Sequence, residues 1–316
     1  MRNLIAALLL STTFAAAQTA AQPAAPLAPA GPTFTLHKLA EGVYAAVTID
    51  GKGAGGNAGF VIGDDGVLVI DSFTPESSAR ELLAEIRKLT PLPVRYLVNT
   101  HYHMDHTGGN GVYAQAGAAI IAHPNVRTWL RTENMKFFGP NATPEQKSRV
   151  ESLTLPSIVY HGAGLDIYLG NRQVLLRFDP GHTGGDTLIA VPDAKVVFGG
   201  DLLWNARFPN MMDASTGPWI ETLDTLIAAH PDFTFVPGHG EVGGVDFLRA
   251  QRDYFNDLRK AVSDARASGK SPADLVAAIQ PQLAKGREPW GFQRFLPLNI
   301  QQQAAEQAGA KKVPQP

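Results

Sequence analysis

The sequence predicts a layered α/β protein with helices outside two central sheets. Short β-type runs fall into two groups, one in each half of the chain, and each group has flanking segments with helical spacing of apolar residues. Gly- and Asp-rich turns separate the runs. Strands and helices alternating in this way bury their apolar faces by stacking in layers.

The elements follow in order. Arg2, the apolar run Leu4 to Leu10 with Phe14, and Ala15-Ala16-Ala17 before Gln18 read as a signal peptide over 1–17. The run is shorter than the roughly 20 residues a membrane span needs, so the mature protein is expected to be exported, periplasmic or secreted, without stable membrane insertion. Residues 18–32 are Ala/Pro-rich and read as a linker. The folded domain is expected over 33–300. Strands are expected at 34–39, 43–49, 58–63 and 67–71, then a helix over 75–89, where Leu82, Leu83, Ile86 and Leu89 share a face. A strand at 94–100 runs into a His-rich loop, with a helix starting near Gly108, a strand at 118–123 and a helix over 124–136. The stretch 131–160 is long and mixed, and reads equally as a lid or as a peripheral excursion. The second half repeats the pattern, with strands at 165–169, 172–178, 187–191, 195–199 and 233–236, and helices near 217–229, 245–267 and 272–284. Residues 301–316 read as a polar tail with a frayed end.

Composition narrows the chemistry. The formal net charge is -2, with no basic cluster, which argues against a nucleic-acid partner. With no cysteine in the chain, disulfides, zinc fingers, iron–sulfur clusters and thiol nucleophiles are excluded. Any metal must sit on His, Asp or Glu, a donor set that suits zinc, iron or manganese.

The chemistry is concentrated in His101-Tyr102-His103-Met104-Asp105-His106. In an extended stretch alternate side chains share a face, so His101, His103 and Asp105 converge, and His106 turns in where the chain bends at Thr107-Gly108-Gly109. Imidazole nitrogens with a carboxylate oxygen are usual ligands of catalytic zinc. Three further groups each follow a strand: Gly181-His182, Gly199-Gly200-Asp201 and Pro237-Gly238-His239. Glycine there lets the chain turn sharply toward a metal. His37, His123, His161 and His230 read as structural or surface residues.

This His-x-His-x-Asp-His loop, followed by a lone His, a lone Asp and a last His, resembles the metallo-β-lactamase superfamily over about residues 33–260. The resemblance implies the four-layer αβ/βα sandwich of that fold and two zinc ions. His101, His103 and His182 would hold the first metal; Asp105, His106 and His239 the second; Asp201 would bridge. Asp71, at the end of VLVID, would orient a ligand imidazole. A metal-bridging hydroxide would attack an ester, thioester, lactone or β-lactam carbonyl of a small molecule, positioned by Asp105. The antibiotic-cleaving subclass carries cysteine where this chain has Asp201, so the bridging aspartate points to the glyoxalase-II-like, lactonase-like and phosphodiesterase-like branches. β-Lactamase proper and an iron-dependent redox enzyme like the persulfide dioxygenases stand as alternatives. Trp204, Arg207 and Phe208, with Met211 and Met212, are candidate substrate contacts, and core packing is the competing role for the apolar ones. The sequence leaves oligomeric state open.

Overall fold

The computed structural model describes residues 31–314. The expected signal peptide and nearly all of the linker lie outside them. Twelve strands form two sheets among the described residues. The first contains β1 (Phe34–Ala40), β2 (Val43–Thr48), β3 (Ala58–Ile62), β4 (Val67–Ile70), β5 (Val94–Val98), β6 (Ala119–Ala122) and β7 (Ile158–Val159), in that spatial order. Its first four strands pair antiparallel and the last three add in parallel. The second sheet runs in the order β12 (Thr234–His239), β11 (Val196–Trp204), β10 (Thr187–Val191), β9 (Arg172–Phe178), β8 (Gly164–Leu169), and only β11 and β12 are parallel.

Three apolar layers hold the sheets and helices together. Between the sheets, Val43, Ala45, Val61, Leu68 and Val98 meet Leu176, Ile189, Val191, Phe198 and Val236. These strands read as continuous β-branched and aliphatic runs because both faces are buried. Helices α1 (Glu76–Leu89) and α3 (Asn110–Gln115) cover the outer face of the first sheet, with Leu82, Leu83, Ile86 and Tyr113 turned inward. Helices α6 (Thr216–Ala229), α7 (Val245–Ala267), α8 (Leu275–Ala284) and α9 (Phe295–Gln307) pack around the second, centred on Trp219, Tyr254, Phe255 and Leu258. The result is the expected four-layer αβ/βα sandwich. No helix among the described residues is long and apolar enough to cross a membrane.

Several elements differ from expectation. The polar tail expected from residue 301 is still helix as far as Gln307. Leu296 and Ile300 face inward together with Asn299 and Gln303, and Asn299 Nδ2 donates to the Tyr254 hydroxyl at 2.9 Å. Buried amides in the inner stripe disguised an amphipathic helix as a solvated segment. The helix end is useful too. Glu306 accepts from the Thr216 backbone N–H (3.1 Å) and hydroxyl (2.7 Å), placing a carboxylate at the N-terminus of α6. Beyond the helix, Lys311 donates to the carbonyls of Met211 and Ala214. The 131–160 stretch has secondary structure of its own, and its Asn134 and Phe137 line a cavity. It holds a 3₁₀ turn (Glu133–Phe138), helix α5 (Pro144–Glu151) and the edge strand β7.

Candidate metal centre

The four chain segments that carry the candidate ligands meet at one edge of the sandwich. Just past β5 the chain carries His101 in a bend and His103 in extended backbone. The chain then turns at once into the single-turn helix α2 (Met104–Thr107), with His103 as its N-cap residue. Asp105 and His106 therefore converge through a helical turn, not through strand alternation. Asp201 and His239 lie inside β11 and β12 rather than in loops after them. The β11–β12 register shifts on either side of Gly200, which has a left-handed φ of 49°. A side chain at Gly200 would also strike Thr100. This irregularity swings Asp201 toward the edge.

His101, His103, His182 and Asp201 form one group, and Asp105, His106 and His239 a second; within each, the donor atoms all lie within 4.8 Å of one another. Asp201 faces both. Its Oδ2 lies 3.3 Å from His182 Nε2 and 3.8 Å from His101 Nε2, and its Oδ1 lies 3.1 Å from His106 Nε2 and 3.3 Å from His239 Nε2. Asp105 Oδ2 is 3.2 Å from His239 Nε2. All but Asp105 are buried.

These residues fit metal ions on the structure's own terms. His101 Nε2, His106 Nε2 and Asp201 Oδ1 are buried with no hydrogen-bond partner, although an orphaned polar atom costs about 1–3 kcal/mol. His103 Nδ1 and His182 Nε2 face each other at 3.0 Å. Donors arranged tetrahedrally at about 2.0–2.1 Å from a zinc ion sit about 3.3–3.4 Å apart, close to these separations. The donors are nitrogen and oxygen only, which leaves zinc, iron and manganese open.

The charges compensate one another. Burial works against ionisation of Asp201, yet His239, His106 and His182 hold it well below the usual carboxylate range. Burial likewise opposes the charge on His239, but Asp201 and Asp105 push it up to about 9. His182 is driven by burial down to about 3.

Hydrogen bonds behind the ligands set which ring nitrogen points inward. Asp71 lies just past β4 at φ 57°, where a non-glycine residue is strained. Its Oδ2 accepts from His106 Nδ1 (2.9 Å) and from the Thr100 hydroxyl (2.7 Å), and its Oδ1 from the Thr100 N–H (2.8 Å). The Thr100 hydroxyl in turn contacts His101 Nδ1 at 3.0 Å. One carboxylate thus orients a histidine of each group. Asp71→Asn keeps the size and tolerates left-handed backbone. It is expected to weaken metal affinity about 10–100-fold, measured by competition with a chromophoric chelator; unchanged affinity would contradict this role.

Asp213, Asn57 and Asp186 were not singled out in the sequence. Asp213 accepts from the Tyr102 hydroxyl, from Lys136 Nζ (2.6 Å) and from His103 Nε2 (3.3 Å), leaving His103 Nδ1 for the centre. Asn57 Nδ2 donates to the carbonyls of Pro237 (2.9 Å) and Gly240 (2.8 Å), pinning the strand end that bears His239. Asp186 accepts from the N–H groups of Gly181 (3.1 Å) and Thr183 (2.7 Å) around His182. Isolated polar residues carry no spacing signal, so only the fold reveals them. Gly238 is a close approach: a Cβ there would collide with Asp201 Oδ1 and the Gly200 backbone. Gly238→Ala is expected to cost about 1–3 kcal/mol and to lower metal content, read by thermal melts and elemental analysis.

A cavity of about 220 Å³ opens onto the centre, and its lining includes Asp105, Phe137, Trp204, Asn210, Phe292, Arg294 and Phe295. Of the expected substrate contacts, Trp204 lines it. Phe208 and Met211 do not: both are fully buried, and Phe208 packs on the rings of Tyr254 and Trp290. Arg207 pairs with Asp50 at 2.9 Å, and Met212 lines a different surface hollow. The chain bends away after β11, which turns these residues into the helical layer. His123 caps α4 (Pro124–Trp129) and stacks on Phe178, and His230 ends α6, so neither reaches the centre.

Fold and site together define a protein with a His/Asp metal-binding cluster at the edge of an αβ/βα sandwich. The chain belongs to the metallo-beta-lactamase superfamily, whose sequence model matches residues 51–239. It is 29% identical over 220 residues to the 2,4-dinitroanisole O-demethylase subunit beta of Nocardioides sp. (strain JS1661), covering 68% of this chain and 63% of that one. It is 28% identical over 186 residues to the hydroxyacylglutathione hydrolase of Brucella ovis, covering 58% and 62%. The chain thus spans less than two thirds of the length of these relatives. The metallo-beta-lactamase from Pontibacter korlensis shares the fold with a TM-score of 0.59 at 22% identity, over 71% of this chain and 99% of that one.

Proposed function

We propose that this chain is a zinc-dependent hydrolase that cleaves an ester, thioester, lactone or β-lactam carbonyl of a small molecule. The observation that carries the reading is Asp201, whose two oxygens face two separate ligand groups. His101, His103 and His182 would hold one ion, Asp105, His106 and His239 the other, and Asp201 would bridge them. When bound, the metal pair supplies Lewis acidity and lowers the pKa of water toward about 7.

The chain's own residues do the rest. Asp105 is the one ligand with appreciable exposure, its side chain 35% accessible, and it lines the cavity. Burial raises its pKa, but His106 and His239 outweigh that and hold it far below the usual range. It is therefore ionised at neutral pH, and the carboxylate oxygen not directed at the metal can orient a water molecule by accepting its hydrogen bond. Asp71 and Asp213 fix the tautomers of the ligand imidazoles, so the donor lone pairs stay aimed inward. Trp204 and Phe137 give the cavity an apolar wall.

The hydroxyacylglutathione hydrolase relative supports acyl transfer to water, and the aspartate at position 201 supports a branch other than the cysteine-bearing β-lactamases. We further propose export, supported by the Arg2 and Leu4-to-Leu10 pattern; N-terminal sequencing of protein recovered from outside the cytoplasm tests it. The function is tested by a panel on the zinc-loaded protein: a chromogenic cephalosporin, an acyl-homoserine lactone, a thioester and a phosphodiester, with His103→Ala as control. Turnover of at least one carbonyl substrate, lost in the control, is expected. Turnover of the phosphodiester alone, or of nothing, would overturn the reading.

A further inference from the structure

Part of the cavity wall comes from residues that follow β12 by some fifty positions, beyond the 51–239 region matched by the family model. Residues 290–295 (WGFQRF) return to the site through a built junction. Gly291 N–H donates to the Ala206 carbonyl (2.9 Å) and Phe208 N–H donates to the Gly291 carbonyl (3.0 Å), clipping the segment to the end of β11. Any side chain at Gly291 would strike the Arg207 stem. Phe292 then adopts a left-handed φ of 57°, a conformation that is rare for a bulky residue. That conformation sets its ring 5.3 Å from the ring of His239 and 5.9 Å from that of Trp204. Phe295 completes the corner, 5.9 Å from Phe292.

Arg294 sits on this aromatic corner. Its guanidinium carbon lies 4.8 Å from the Phe292 ring centre and 4.6 Å from that of Phe295. Stacking on two rings holds a long side chain in place and leaves its fork of N–H donors free. Among the described residues no carboxylate pairs with it. Arg207 also reaches the Phe292 ring but is neutralised by Asp50. The cavity's own carboxylates, Asp105 and Asp201, face the ligand histidines. The cavity therefore presents a reactive end, an aromatic wall and one unpaired, pre-oriented guanidinium at its exposed rim.

We propose that this segment selects substrates that combine an aromatic body with a carboxylate: Phe292 and Phe295 pack the body, and Arg294 takes the carboxylate in a bidentate pair, away from the bond that is cleaved. Naming the class of substrate rests on the hydrolase reading above; the binding site for an aromatic carboxylate does not.

Two aryl esters test it, identical except that one carries a carboxylate and the other a neutral carboxamide at the same ring position. The zinc-loaded protein is expected to favour the carboxylate ester by about tenfold in kcat/KM. Arg294→Ala should raise KM for that ester about tenfold with kcat unchanged, and should raise KM for the carboxamide ester far less, so that the preference for the carboxylate is lost. Arg294→Lys should recover part of the loss. In parallel, the aromatic acid released from the carboxylate ester is titrated into zinc-loaded protein by tryptophan fluorescence and calorimetry, and should bind about tenfold more weakly to Arg294→Ala. Equal kinetics for the two esters, or equal acid affinity in wild type and Arg294→Ala, would overturn the proposal. If neither ester is cleaved while the acid still binds through Arg294, the assigned substrate class fails and the carboxylate site stands; the hydrolase reading itself fails only if the substrate panel also shows no carbonyl turnover.

Discussion

Asp201→Asn is expected to lower kcat/KM by about a thousandfold, equivalent to ~4 kcal/mol of transition-state stabilisation, and to leave the protein with at most one equivalent of tightly bound metal. The substitution is nearly isosteric, so the packing of β11 is preserved. What changes is the charge and donor character of one group. Asp201 Oδ1 is an orphaned acceptor facing His106 and His239, and Oδ2 faces His101 and His182. An amide replaces one of those oxygens with an N–H donor that cannot ligate, and removes a full negative charge from a buried cluster of imidazoles. Both ligand groups are weakened together. Elemental analysis and kinetics on the same preparation check this, with circular dichroism to show that the fold is retained. A variant that keeps two equivalents of metal and full turnover would refute the bridging role.

Stripping the metal with a chelator is expected to lower Tm by about 10 °C. A ligand present at a thousandfold above its dissociation constant contributes ~4 kcal/mol, and a domain of this size shifts by about 2–4 °C per kcal/mol. The pH dependence should also change: stability falls with rising pH when metal is absent and is nearly flat above about pH 7 when metal is bound. In the metal-free protein His239 titrates at about 9, above its unfolded value of about 6.5. Its contribution to stability is therefore complete below about pH 6.5 and is lost as pH rises through about 9. Metal binding has the opposite slope, because the histidines must shed their protons to ligate. Affinity should climb with pH until His239 is neutral, and calorimetry in buffers of different ionisation enthalpy should register proton release. Scanning calorimetry with and without chelator between pH 6.5 and 9 checks both slopes. Parallel slopes would show that these histidines do not exchange protons for metal.

The layers and the candidate ligand cluster were legible in the sequence for physical reasons. Strands such as VLVI and TFV announce burial on both faces, and α1 shows a clear apolar stripe. His101, His103, Asp105 and His106 stand out because metal ligands crowd within a few residues when one loop supplies them. The local geometry was less legible. Tetrahedral demands are met by switching from extended chain to a helical turn at Met104 and by a register shift at Gly200, and neither has a periodicity. Phe208 and Met211 looked like cavity wall because they follow Asp201 closely, but the chain bends away and buries them. The wall is supplied instead by Phe292, Arg294 and Phe295, whose distance in sequence hides their closeness in space. The support residues Asp213, Asn57 and Asp186 are single polar residues and acquire meaning only once their partners are folded against them.

Anomalous diffraction at the zinc edge from crystals of the protein purified with zinc is the most direct check. Two peaks are expected, one among His101, His103 and His182 and one among Asp105, His106 and His239, with the Asp201 carboxylate between them. A density map with these seven side chains splayed apart, or with no anomalous scatterer near any of them, would contradict the assignment.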